Sequence, residues 1–210
     1  MKMIKKFSAF ICIICIITSV SFAYDRSNAF HSNDYFTNDL QYVNSIQSYF
    51  DTYGMFTSVA IRPNVIYGWN YVIGISTYFF VSTHGSSDGS NLTINDTGRY
   101  KSENVSTNHC RIAFISACYS AKTNTTSGNN LCQTFVNNGA EAAIGYNALV
   151  TTSHTRVFET QFYYNYVSNE YSLATSKANA LVYVNNMFGS SCNLSSATKT
   201  FGDTTICIDD

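Results

Sequence analysis

Charge is scarce in this chain, and a single proline, Pro63, interrupts it. Twelve basic and thirteen acidic residues give a net charge of −1 over 210 residues. Three of the basic residues, Lys2, Lys5 and Lys6, cluster at the start, and the others are scattered. No basic patch or cationic tail remains to hold nucleic acid or an anionic membrane surface, so neither is expected as a main partner. Beyond residue 23 the short-spaced Cys and His pairs of a structural zinc site are also missing, so no metal is expected, and no cofactor is called for. Internal repeats, linkers and low-complexity tracts are absent, which leaves one domain.

The long apolar run at residues 7–20 is shorter than the ~20 residues of a membrane-spanning helix. It follows the three lysines and precedes Ser21, Phe22 and Ala23. A basic stretch, an apolar stretch and small residues in that order form a secretory signal peptide. Residues 1–23 are therefore expected to be cleaved after Ala23. Residues 24–210 would form the mature protein, secreted or periplasmic and without membrane attachment. Nine basic residues then stand against thirteen acidic ones, a net charge of −4 over 187 residues.

In the mature chain, Phe36, Leu40, Val43, Ile46 and Phe50 recur at helical intervals behind Ser32 and Asn33, which predicts a core-facing helix over 33–50. Residues 58–61 read as a short strand closed by Arg62 and Pro63, since proline has no amide for a central strand to donate. Residues 65–76 are ambiguous, a helix being one reading. The polar segment 86–108 holds Leu92 and Ile94 in the alternation of a small hairpin. A helix is expected over 128–138, ended by Gly139, because glycine readily takes the left-handed conformation. Residues 140–146 read as a buried strand, 153–168 and 172–188 as helices, and 204–208 as a final strand after Gly202 and Asp203. Strands alternating with helices imply a mostly parallel sheet covered on both faces.

Two compositional features bear on the surface. Sixteen tyrosines are more than a core of this size needs, so many are expected at or near the surface. Sequons at Asn91, Asn95, Asn104, Asn124 and Asn193 mark surface loops and matter only in a glycosylating secretory pathway.

Cysteine usage is more pointed. Cys12 and Cys15 leave with the signal, so Cys110, Cys118, Cys132, Cys192 and Cys207 remain. An odd number in an exported protein leaves a thiol for intermolecular pairing or for reaction, and Cys118 is the choice for the free one. The other four either form two bridges, with Cys192–Cys207 the local pair, or stay reduced as small apolar side chains.

Cys118 stands out because of what surrounds it. The apolar run 77–83 leads into His84-Gly85, and the run 111–116 leads into Ala117-Cys118. If these are neighbouring parallel strands, an imidazole and a thiol emerge at the carboxyl edge of one sheet, where open α/β sheets place their ligands. A thiol attacks a carbonyl as the thiolate and needs a nearby base, a role suited to histidine. Backbone N–H groups, here of Gly85 and of Cys118 itself, are the expected donors to the oxyanion.

An apolar block ending in His-Gly, then another ending in Ala-Cys, resembles the caspase-like cysteine peptidases, which include gingipains, clostripain, legumain, caspases and CHAT domains. CQTFVNNGAEAAIGY at 132–146 and Phe201-Gly202-Asp203 are similar to their helix-glycine-strand and closing segment. The resemblance covers roughly 58–208. It implies an α/β, caspase-hemoglobinase-like three-layer sandwich with a mostly parallel central sheet. It also implies His84 as general base and later acid, Cys118 as nucleophile and Gly85 as oxyanion donor, acting on protein or peptide substrates. By the same resemblance, Arg62, Ser116, Gly145, Tyr146 and Asn147 would line the pocket for the residue before the scissile bond (P1). Asp88 is the alternative for a basic P1. The caspase signature Gln-Ala-Cys-x-Gly is absent, since the chain reads Ser116-Ala117-Cys118-Tyr119-Ser120, so strict aspartate specificity is not expected. The reading from another class is a non-catalytic secreted binding or adhesion module on the same fold.

Overall fold

The computed structural model describes residues 26–31, 39–61, 66–93, 98–105, 107, 110–128 and 130–208. The proposed signal peptide and Arg62 lie outside them.

Three strands are buried at every position: β3 (Tyr78–Ser82), β6 (Ile112–Ser116) and β7 (Ala142–Tyr146). Continuous apolar runs of this kind suit parallel strands covered on both faces. With β1 (Arg26–His31), β2 (Phe56–Ile61) and β8 (Thr198–Gly202) they form one sheet among the described residues, ordered β2-β1-β3-β6-β7-β8. All pairs are parallel except β7 with β8. A small antiparallel hairpin, β4 (Asn91–Thr93) and β5 (Arg99–Lys101), rises from the connection after β3, where the alternation at Leu92 placed it.

The period of two along each strand sorts the core. Tyr78, Phe80, Ile112, Phe114, Ile144 and Tyr146 face α1 (Asp39–Thr52), α4 (Thr152–Tyr163) and α5 (Leu173–Phe188). Phe79, Val81, Ala113, Ile115 and Ala143 face α2 (Ile66–Ile75) and α3 (Leu131–Asn137). Phe114 lies at the centre of the first core, its ring 5.4 Å from Phe162 and 5.8 Å from both Phe80 and Tyr163. The ambiguous stretch is the helix α2, which buries Trp69 and Ile73. In α3 the Asn130 side chain accepts the Gln133 N–H at 2.7 Å, and Gly139 ends the helix at φ +109.

The helix expected over 153–168 contains α4 and then a π-turn, Tyr164–Ser168. Phe158, Phe162 and Tyr166 are buried as their spacing predicts, and Tyr163 and Val167 are buried beside them. A wider turn rotates the following residues, so two adjacent positions reach the core.

Two expectations, on the closing strand and on the Cys192–Cys207 bridge, need correction. The closing strand is Thr198–Gly202, not 204–208. Gly202, at φ +81, turns the chain out of the sheet, and the Asp203 carboxylate accepts the Thr205 N–H at 2.8 Å. The carbonyls of Ile206 and Thr204 then accept the first N–H groups of α5, from Leu173 and Ala174, at 3.0 and 2.9 Å, so these residues serve a helix end. Many tyrosines do reach the surface, Tyr71, Tyr164, Tyr171 and Tyr183 being exposed, while Tyr78, Tyr100, Tyr146, Tyr163 and Tyr166 are almost wholly buried. The Cys192–Cys207 bridge is not formed, and none of the five cysteines is in a disulfide. Among the described residues no helix is long and apolar enough to cross a membrane. The last helix, α6 (Leu194–Ala197), is a single turn leading into β8.

Candidate active site

Strand register brings the two motifs together. Ser82 of β3 pairs with Ser116 of β6, and the Thr83 N–H donates to the Ser116 carbonyl at 3.0 Å. His84 and Cys118 each follow that matched pair by two residues, so both leave the sheet at the same level of its carboxyl edge. They line one cleft of about 200 Å³. Its other walls are the ends of β3 and β6, the β7–α4 connection at Leu149 and Val150, and the first turn of α4 at Thr152 and Thr155.

The His84-Gly85 segment is held by the hairpin. The Thr93 N–H donates to the His84 carbonyl at 2.8 Å, and the Ser86 N–H donates to the Asn91 carbonyl at 3.0 Å. Gly85 therefore opposes Leu92 as a non-hydrogen-bonded pair, which leaves its own N–H out of the ladder. On the other side its backbone packs against Cys118. A Cβ at residue 85 would fall well inside 3.0 Å of the Cys118 carbonyl oxygen, a separation real Cβ atoms do not show. Only glycine allows this approach.

The Cys118 turn is fastened to the end of β7. Tyr119 takes φ +62, its N–H donates to the Ala148 carbonyl at 3.2 Å, and the Ala121 N–H donates to the Tyr146 carbonyl at 3.0 Å. The Ser120 hydroxyl donates to the Ile115 carbonyl and accepts the Tyr146 N–H, at 2.9 and 3.1 Å. The sulfur is positioned by Val150, whose N–H donates to Cys118 Sγ at 3.5 Å and whose carbonyl lies 3.7 Å from it. The Cys118 N–H meets no backbone acceptor among the described residues.

Of the residues expected around P1, Ser116 lines the cleft, and several others are placed elsewhere. Gly145 is interior, packed against Ser120 and Cys132. Tyr146 is buried, its hydroxyl donating to Glu159 at 2.6 Å. Asn147 is half-buried and its N–H donates to the Ala197 carbonyl at 2.9 Å. Asp88 is exposed in a turn, hydrogen-bonded by Ser86, Ser90 and Asn124, and the bonds from Ser86 and then Ser90 hold its carboxyl below the ordinary range. Ser82, Leu149, Val150, Thr152 and Thr155 line the cleft without having been singled out. Ser82 was within reach, because the register that joins His84 to Cys118 also joins the two serines. The residues from 149 onward arrive through tertiary packing of α4, which no local pattern announces.

The other thiols contrast with Cys118. Burial pushes Cys110 up to about 12 and raises Cys132 further, while Cys118 is partly accessible. Apart from Cys118, His84 is the one ionisable side chain among the described residues lining the cleft. No group of three or more His, Cys, Asp or Glu is placed to hold a metal ion among the described residues.

No family model matches the chain, and no curated protein matches it in sequence. Among solved structures its fold is similar to that of separase from Saccharomyces cerevisiae in its complex with securin. The TM-score is 0.51 at 12% sequence identity. The match covers 86% of this chain and 12% of the matched chain, which is far longer. Separase has a caspase-like fold.

Proposed function

We propose that the protein is an exported cysteine endopeptidase, its residues 24–210 forming one caspase-hemoglobinase-like three-layer domain that cleaves protein or peptide substrates. The observation that carries this reading is the convergence of His84 and Cys118 on one cleft, two residues beyond a matched strand pair. A separate core on each side of the sheet and the likeness to separase support the fold assignment.

In the proposed cycle the His84 imidazole takes the thiol proton as Cys118 Sγ bonds to the substrate carbonyl carbon. The N–H groups of Gly85 and Cys118, both left outside backbone pairing, face the developing oxyanion. His84 then gives its proton to the leaving amine, which departs as the C–N bond breaks. Water, activated by the same imidazole, hydrolyses the acyl-enzyme and restores the thiol.

The test is labelling of the mature protein by a peptidyl electrophile under reducing conditions, read by mass mapping. An adduct on Cys118 that Cys118→Ala removes is expected. His84→Ala should lower turnover by about 10²–10⁴-fold with the circular dichroism unchanged. Failure of Cys118 to react, with its sulfur found in a disulfide, would return the domain to the non-catalytic binding module, because an oxidised sulfur cannot attack.

A further inference from the structure

The face of the sheet toward α4 changes character at its last row. Its inner rows are Tyr78 with Ile112 and Phe80 with Phe114; the next is Ser82 with Ser116. These serines are only 8% and 7% exposed, yet both line the cleft, and neither hydroxyl has a hydrogen-bond partner among the described residues. Both hydroxyls belong to the lining of the cleft rather than to the sealed interior, so each keeps its donor and acceptor capacity for whatever occupies the cleft. Thr155 closes the opposite wall, its own hydroxyl donating to the Thr152 carbonyl at 3.0 Å. The floor therefore carries hydrogen-bonding capacity that the protein leaves unused, next to the sulfur and with no charged group among its described residues.

We propose that Ser82 and Ser116 are specificity-determining residues that select a short, uncharged, hydrogen-bonding P1 side chain: serine, threonine or asparagine. The assignment rests on the peptidase reading above. Each hydroxyl both donates and accepts, so a hydroxyl or carboxamide on the substrate can satisfy the pair. An alanine at P1 displaces the water from these hydroxyls and returns nothing. A site built around a substrate hydrogen bond rejects the analogue lacking it far more strongly than an apolar pocket rejects a missing methylene. A charged P1 is stripped of water in a cleft whose described lining offers no ionisable side chain beyond His84 and Cys118, both engaged in the reaction.

The experiment measures Cys118 labelling rates with peptidyl electrophiles that differ only at P1: Ser, Thr, Asn, Ala, Asp or Lys. The three hydrogen-bonding residues are expected to react about tenfold faster than Ala, Asp or Lys. In Ser82→Ala/Ser116→Ala their advantage over Ala should shrink to about threefold or less. That ratio compares two probes on the same variant, so loss of folded protein does not move it. Ser116→Asp should turn the preference toward Lys. Equal rates for Ser and Ala, or a wild-type preference for Asp or Lys, overturns this assignment while leaving the peptidase reading intact. Labelling at no P1 residue overturns both.

Discussion

The Gly85 backbone rests directly on the carbonyl group of Cys118, with no space between them for a methyl group. The contact sets the separation between the segment carrying the imidazole and the turn carrying the sulfur. Gly85→Ala must push them apart by a substantial part of an ångström or more. Displacements of that size at reacting groups cost about 100-fold in rate. Electrophile labelling of Cys118 should slow by that order while the thermal midpoint moves little. A variant that labels at the wild-type rate would show that the contact does not position His84 relative to Cys118.

Thiol reactivity should follow burial. Cys110 and Cys132 are enclosed, and burial raises the pKa of each, that of Cys110 to about 12. At neutral pH neither offers appreciable thiolate or access. Native iodoacetamide treatment should modify Cys118 and spare Cys110 and Cys132, which react once the chain is denatured. Peptide mapping before and after denaturation reads the difference, and native modification of Cys132 would contradict the packing described.

Glu159 is fully buried, accepts the Tyr146 hydroxyl through one oxygen, and has no hydrogen-bond partner for the other among the described residues. Desolvation raises its pKa well above the ordinary 4.5. The folded protein keeps this proton while the unfolded chain releases it, so the contribution to stability is present below about 4.5 and falls as pH rises toward the folded value. Glu159→Gln retains an oxygen for Tyr146 and removes the titration. Denaturant midpoints across pH should decline more steeply for the wild type than for the variant above that point. Parallel profiles would contradict a protonated Glu159.

Phe114 touches aromatic rings from its own sheet and from α4. Truncation to alanine should cost about 3–5 kcal/mol, the usual range for a buried phenylalanine. Urea unfolding gives the number directly. A loss below about 1 kcal/mol would mean that the rings around Phe114 collapse into the space, contrary to a tightly packed interior.

The runs ending at Ser82 and Ser116 declared themselves because a strand buried on both faces is apolar at every position. The order of their terminal residues disclosed that His84 and Cys118 leave the sheet at the same level and border one cleft. β1 escaped notice although it lies inside the sheet, since Arg26–His31 reads RSNAFH and has neither alternation nor β-branched residues. Residues 204–208 look like a strand because Ile206 and Ile208 are buried, but that burial comes from packing in the α1–α4–α5 core. The cleft was legible only along its two strands. Its third wall comes from α4, and Gly145, expected there from family resemblance, lies instead beneath Ser120.

Asn193 introduces a constraint on how the protein can be produced. Its side-chain nitrogen donates to the Leu149 carbonyl at 2.9 Å, tying the start of α6 to the rim of the cleft. That nitrogen is also the atom to which an oligosaccharyltransferase attaches sugar at a sequon. Material routed through the secretory pathway of a yeast or mammalian host would carry a bulky glycan at the mouth of the cleft, where it would displace the tether and crowd arriving polypeptide. A bacterial host, or Asn193→Gln in a eukaryotic one, keeps the entrance clear.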